Sequence, residues 1–176
     1  MLIAGQRSPL TAPLEAAFIR DDIAVRRLAS LDRMNGEVTN VPRAVLQITP
    51  PAGRGAEIRA FRRLAFTQLQ QLAAVMPQRA SILVVVDGRH LATEPRMPAH
   101  RIEGTMLRLR AAAAQERGSA VTVNAIFLSG AVDCGTVAKR VWEAMRGGSL
   151  PDSGYLIDDE DIRDRSIAAA ISEQCS

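Results

Sequence analysis

The chain has 176 residues, of which 47% are hydrophobic and only 3% aromatic, so it is long enough for one domain with an aliphatic core and too apolar to be disordered. The formal charge is +3, yet residues 1–150 carry 20 basic and 12 acidic side chains while residues 151–176 carry 2 and 7. The basic groups are nearly all Arg at helical spacing with no aromatic stacking platform, which argues against a nucleic-acid partner; the few apolar residues after Met1 are too short for a signal peptide or membrane span, so a cytoplasmic protein with no membrane partner is expected.

In chain order, Leu2-Ile3-Ala4-Gly5 reads as a first strand ending in a turn. Residues 20–43 are the least legible and read as a helix from Asp21 to Asp32 followed by a loop. Ala44 to Thr49 reads as a strand stopped by Pro50 and Pro51, because proline cannot continue a central ladder. Ile58, Phe61, Ala65, Leu69, Leu72 and Met76 recur at helical intervals and predict a long amphipathic helix. Ile82 to Val86 is the clearest buried strand, and Ile102, Met106, Leu109 and Ala113 mark one face of a long helix from Met97 to Arg117. Val121 to Phe127 predicts another strand. Val137, Val141 and Met145 lie on one side of a helix over residues 135–146, and Tyr155-Leu156-Ile157 predicts a last strand. The acidic run Asp158, Asp159, Glu160, Asp161 and Asp164 reads as an exposed tail or helix start.

This alternation predicts an α/β domain, since each parallel strand pair needs a crossover. The expected architecture is a shortened Rossmann-like, mainly parallel sheet of about five strands with helices packed on it, over residues 1–158, and an acidic tail or short helix over 159–176. Cys134 and Cys175 lack metal-ligand spacing, so no metal site is expected.

Three stretches, Ala44–Gly53 (AVLQITPPAG), Leu69–Asp87 and Leu109–Gly130 (LRAAAAQERGSAVTVNAIFLSG), resemble in order the later two-thirds of the short-chain dehydrogenase/reductase family. Val123, Asn124, Ala125 and Gly130 stand where that family writes Val-Asn-Ala and a following Pro-Gly. The resemblance implies a dinucleotide-binding Gly-rich turn after the first strand. Here the turn runs Gly5 to Thr11, with Pro9 and Thr11 where further glycines would stand, so no cofactor is expected to bind. About 40 residues separate Gly5 from Val45, too few for the family's two further strands. Their deletion is expected to remove the strand-order reversal that makes the cofactor crevice and to leave the first strand as an edge.

The family's chemistry needs a Tyr with a Lys four residues on. This chain has one tyrosine, Tyr155, and one lysine, Lys139, in the wrong order and segment. Three registers put the Tyr position at Pro98, Ala99 or His100, the Lys position at Ile102, Glu103 or Gly104, and the Ser position at Val85, Val86 or Asp87. One register pairs Asp87 with His100, a possible general base that His90 could join; the plainer reading makes Asp87-Gly88 a turn and His100 a surface residue. Asn124 reads as structural, and Trp142 as core or as an interface anchor.

The expected function is that of a catalytically inactive, reductase-like structural or regulatory subunit. It would pair with itself or with an active NAD(P)-dependent subunit of the family through Ile102, Met106, Leu109, Ala113, Val137, Val141, Trp142 and Met145. Two alternatives stay open: an active oxidoreductase with a relocated cofactor site or an Asp87/His100 catalyst, and an Arg-rich nucleic-acid-binding module.

Overall fold

Short aliphatic runs form the strands of this chain, and the 3.6-residue patterns between them form its helices. The computed structural model describes residues 1–28, 41–52, 55–77, 79–91, 121–147, 150 and 154–174. Its elements are β1 (Leu2–Gly5), α1 (Thr11–Ile19), β2 (Arg26–Leu28), β3 (Arg43–Ile48), α2 (Ala56–Val75) and β4 (Ser81–Asp87). They continue with a 3-10 turn (Arg89–Leu91), β5 (Thr122–Leu128), α3 (Cys134–Arg146), β6 (Leu156–Asp158), a second 3-10 turn (Asp159–Ile162) and α4 (Ile167–Gln174). The helix expected from Met97 to Arg117 lies outside the described residues.

Among the described residues one sheet of six strands runs in the order β2-β1-β3-β4-β5-β6, and each of its pairings is parallel. The α/β, Rossmann-like expectation is met, with one strand more than expected. That extra strand is β2, and it overturns three expectations. Over residues 21–28, the described part of the helix expected from Asp21 to Asp32, no helix forms: Asp21 and Asp22 make a turn after α1, Asp22 taking φ 54°. The chain then pairs Arg26 beside Leu2 and Leu28 beside Ala4. Ile23 and Val25 pack against the core, which holds this stretch extended although Arg26 and Arg27 carry charge. In consequence β1 is not an edge, and the strand order still reverses between β1 and β3. The edges are β2 and β6, each only three residues long, a form that offers little template for pairing with another chain.

Strand alternation divides the core in two. Leu46, Val84, Val86 and Ala125 face α2, which covers them with Ala65, Leu69, Leu72 and Ala73. Ile3, Val45, Leu83, Val85 and Ile126 face the other way, where Leu14 and Phe18 of α1, Val141 and Met145 of α3 and Ile171 of α4 close over them. The α1 helix tolerates Pro13 because the first turn has no intrahelical use for that N–H. At the start of α3 the Asp133 carboxylate accepts from the Gly135 and Thr136 N–H groups at 2.8 and 3.0 Å, a capping arrangement. At its end, Arg43 donates to the Met145 and Arg146 carbonyls, satisfying acceptors that the helix leaves unpaired.

The step β5–α3–β6 runs across the sheet in the same direction as β3–α2–β4, yet α3 and α2 lie on opposite faces. The two connections therefore have opposite hands. Of the two readings of the acidic run the helix start is met, since Asp158 caps the second 3-10 turn and Asp158, Glu160 and Asp164 are exposed; Asp159, however, is fully buried, and Ile162, Ile167 and Ile171 beyond it belong to the core.

Candidate functional site

In an open parallel sheet, ligands and chemistry gather outside the carboxyl ends of the strands, at the point where strand order reverses. Here that edge is formed by Gly5, Gln47, Asp87 and the turn Ser129–Gly130. Gly5 has φ +99°, and a Cβ there would lie 2.0 Å from the Gln47 carbonyl oxygen. Only glycine lets β1 leave the sheet this close to β3.

The turn after Gly5 closes on itself. The Gln6 N–H donates to the Gln47 carbonyl at 3.2 Å, and the Thr11 N–H to the Ser8 carbonyl at 2.9 Å. Ser8 N–H donates to Thr11 Oγ1 at 2.9 Å, and Leu10 N–H to Ser8 Oγ at 3.2 Å. Thr11 Oγ1 in turn donates to Gln47 Oε1 at 2.9 Å in a buried contact, while Gln47 Nε2 is buried without a partner among the described residues. A dinucleotide pyrophosphate needs several backbone N–H groups turned outward at such a turn. Gln6, Ser8, Leu10 and Thr11 have theirs engaged, and Pro9 and Pro13 have none. The turn does not fit that group.

Asp87 ends β4 and is 7% exposed. Arg89 grips both of its oxygens, Nε to Oδ1 at 2.8 Å and Nη2 to Oδ2 at 2.6 Å. Burial alone would raise the Asp87 carboxyl, but the hydrogen bonds and charge of Arg89, with a smaller attraction from His90, outweigh it and hold the group below the usual carboxylate range. The Arg89 guanidinium is pushed up, chiefly by its bond to Asp87, and it also contacts Cys134 Sγ. A carboxylate so stabilised, with both oxygens occupied, is a weak base. His100 lies outside the described residues, and His90 is exposed on the 3-10 turn. Gly88 makes the expected turn, and it is needed there for space: a Cβ would come within 2.4 Å of the Phe127 ring.

Across the edge, Asp159 accepts from Ser129 Oγ at 2.7 Å, from Gly130 N–H at 3.0 Å and from Val132 N–H at 3.3 Å. This clasp ties the turn after β5 to the segment after β6. Sequence reasoning missed both it and the Arg89 grip. The second had a signal, an Asp and an Arg two apart at a strand end; the first had none, because its partners stand about 30 residues away.

The other singled-out residues fall elsewhere. Asn124 is fully buried, and its Oδ1 accepts from the Gly154 and Tyr155 N–H groups at 3.1 Å each, the structural role expected of it. Tyr155 stands at the start of β6, level with Asn124, whereas Lys139 is exposed on α3. Val137, Val141 and Met145 are buried in the chain's own core, so their burial is explained without a partner. Trp142 is half-buried, with the Arg146 guanidinium 5.0 Å above its ring. Ile102, Met106, Leu109 and Ala113 lie outside the described residues. Among the described residues no group of three or more His, Cys, Asp or Glu could hold a metal, and no helix is long and apolar enough to cross a membrane.

Comparison with protein-family models gives no match, and comparison with curated proteins gives no significant one.

Proposed function

We propose that this chain is a catalytically inactive, reductase-like α/β subunit that pairs with a second copy or with an active NAD(P)-dependent subunit, where it acts structurally or as a regulator. The observation that carries the reading is the self-closed turn between β1 and α1. The N–H groups of Gln6, Ser8, Leu10 and Thr11 are bonded to Gln47, Thr11 and Ser8 rather than offered to a phosphate. The Asp87 carboxylate, bound on both oxygens by Arg89, supports it as well. The reversal of strand order between β1 and β3 leaves a crevice in the topology, so the loss of cofactor binding rests on the chemistry of the turn and not on a missing half-sheet. The motive for pairing likewise shifts away from an open β1 edge. It rests on the resemblance of the 97–117 stretch to a family pairing helix, with Ile102, Met106, Leu109 and Ala113 on its apolar stripe.

Two measurements test the two halves of this reading. Calorimetric titration with NADH and NADPH is expected to give no saturable heat; micromolar binding to either would overturn the inactive assignment. Native mass determination of the chain purified from its own cells is expected to give a dimer or a mixed complex. A monomer at micromolar concentration, with nothing co-purifying, would remove the subunit role.

A further inference from the structure

Two helices far apart in sequence present the same spacing to one another. On α1, Pro13, Ala16, Ala17 and Arg20 fall at i, i+3, i+4 and i+7. On α3, Gly135, Ala138, Lys139 and Trp142 do the same. Such positions form a single stripe along a helix, and here the two stripes line a common cleft of about 540 Å³. Its size is a consequence of composition. Where helices pack side by side, large residues normally fill the valley between them; glycine and alanine leave it open.

The chemistry of the cleft is asymmetric. The small residues and the Trp142 indole give it an apolar body. Two cations, Arg20 and Lys139, are exposed at it and make no ion pair among the described residues. The acidic lining residue, Asp21, is already paired with Arg146 at 3.2 Å, and Arg146 also covers the Trp142 ring. That chain of contacts holds the indole in place and leaves the net charge at the cleft positive. A volume in the roughly 300–1,000 Å³ range suits a small molecule better than a protein segment, which needs on the order of 800 Å² of surface on each side.

We propose that the cleft between α1 and α3 is a binding site for a small anionic molecule with a flat or extended apolar body, of the aryl- or acyl-carboxylate class. The apolar part lies along Ala16, Ala17 and Trp142, and the carboxylate is held by Lys139 and Arg20. The site is on the helical face, away from the carboxyl edge of the sheet, and does not depend on the subunit role proposed above.

Trp142 is the only tryptophan, so its emission reports on the cleft directly. The probes are 4-phenylbutanoate and, as its uncharged counterpart, 4-phenylbutanamide, titrated into the full chain with calorimetry in parallel. The acid is expected to shift Trp142 emission saturably with a Kd below about 1 mM, and the amide to bind roughly tenfold more weakly, the usual cost of losing one charge-assisted contact. Lys139→Gln and Arg20→Gln should each weaken the acid several-fold while leaving the amide unchanged. Ala16→Leu, at an exposed position, fills the cleft from the α1 side and should abolish binding of both probes without altering thermal unfolding. No saturable response to the acid, equal affinity for acid and amide, or undiminished binding to the Ala16→Leu chain would each overturn the proposal.

Discussion

Asp159 shows how far a single side chain can depart from the look of its neighbourhood. It belongs to a run of five acidic residues between 158 and 164, and every local signal in that run is of a solvated stretch. Three donors from the turn after β5 converge on it instead, and a buried carboxylate is tolerable when its oxygens are so satisfied. Asp159→Ala removes the acceptor and strands those donors, so urea denaturation should show a loss of about 3 kcal/mol, the scale of a broken buried network. Asp87 is legible as the end of β4, but its grip by Arg89 depends on how the turn at Gly88 folds back. Its carboxyl is held below the usual range in the folded chain, so its contribution to stability is present above the unfolded value of about 3.9 and is lost as pH falls through the lower folded value. Asp87→Asn should therefore destabilise the chain by about 1–2 kcal/mol at neutral pH. The gap between wild type and variant should stay constant above pH ~5 and close below pH ~4, as read by denaturation at a series of pH values.

At the scale of elements, legibility follows burial. Ser81–Asp87 is buried along its whole length, and a strand covered on both faces must be aliphatic throughout, which is why Ile82 to Val86 stands out in the sequence. The same logic exposes β3 and β5. It fails for β2, a three-residue edge strand written Arg-Arg-Leu, whose pairing is imposed by β1 and not by its own composition. It fails also for α1, a stretch assigned no element from the sequence although Leu10, Leu14 and Phe18 repeat every four residues and are fully buried. The join between β1 and β3 depends on one residue. Gly5→Ala combines a positive φ with a Cβ 2.0 Å from backbone, and the strand must shift to admit it. A loss of about 3 kcal/mol or more is expected in thermal or urea unfolding, opposite in sign to the gain of about 0.4–1 kcal/mol that Gly-to-Ala brings where the backbone suits alanine.

For the whole molecule, the sequence pattern was a sound guide to class and a poor one to closure. Alternating strands and helices predict the parallel sheet, because chain connectivity enforces it. Which strand borders which is settled by pairings some tens of residues apart, such as Leu2 with Ala44 and Ser81 with Thr122, and which helices share a face by contacts more than 100 residues apart, such as Arg146 with Asp21, beyond any short window of sequence. The candidate site illustrates the same limit. The absence of glycine at positions 9 and 11 is visible in the sequence, but the mutual satisfaction of Ser8, Thr11 and Gln47 needs β3 beside β1.

The placement of α3 on the face of α1 also has a consequence in time. Among the described residues of 1–91 are four strands and two helices, and α2 can cover its own face as soon as β3 and β4 exist. The opposite face, with Val45, Leu83 and Val85, has α1 as its one helix among the described residues before position 134; α3 and α4, which complete its cover, come after it. Until α3 and α4 emerge, Val45, Leu83 and Val85 lack the cover of those two helices, and incompletely covered aliphatic faces aggregate or recruit holding factors. Residues 134–174 therefore complete one face of the sheet's core and are not an appendage to it.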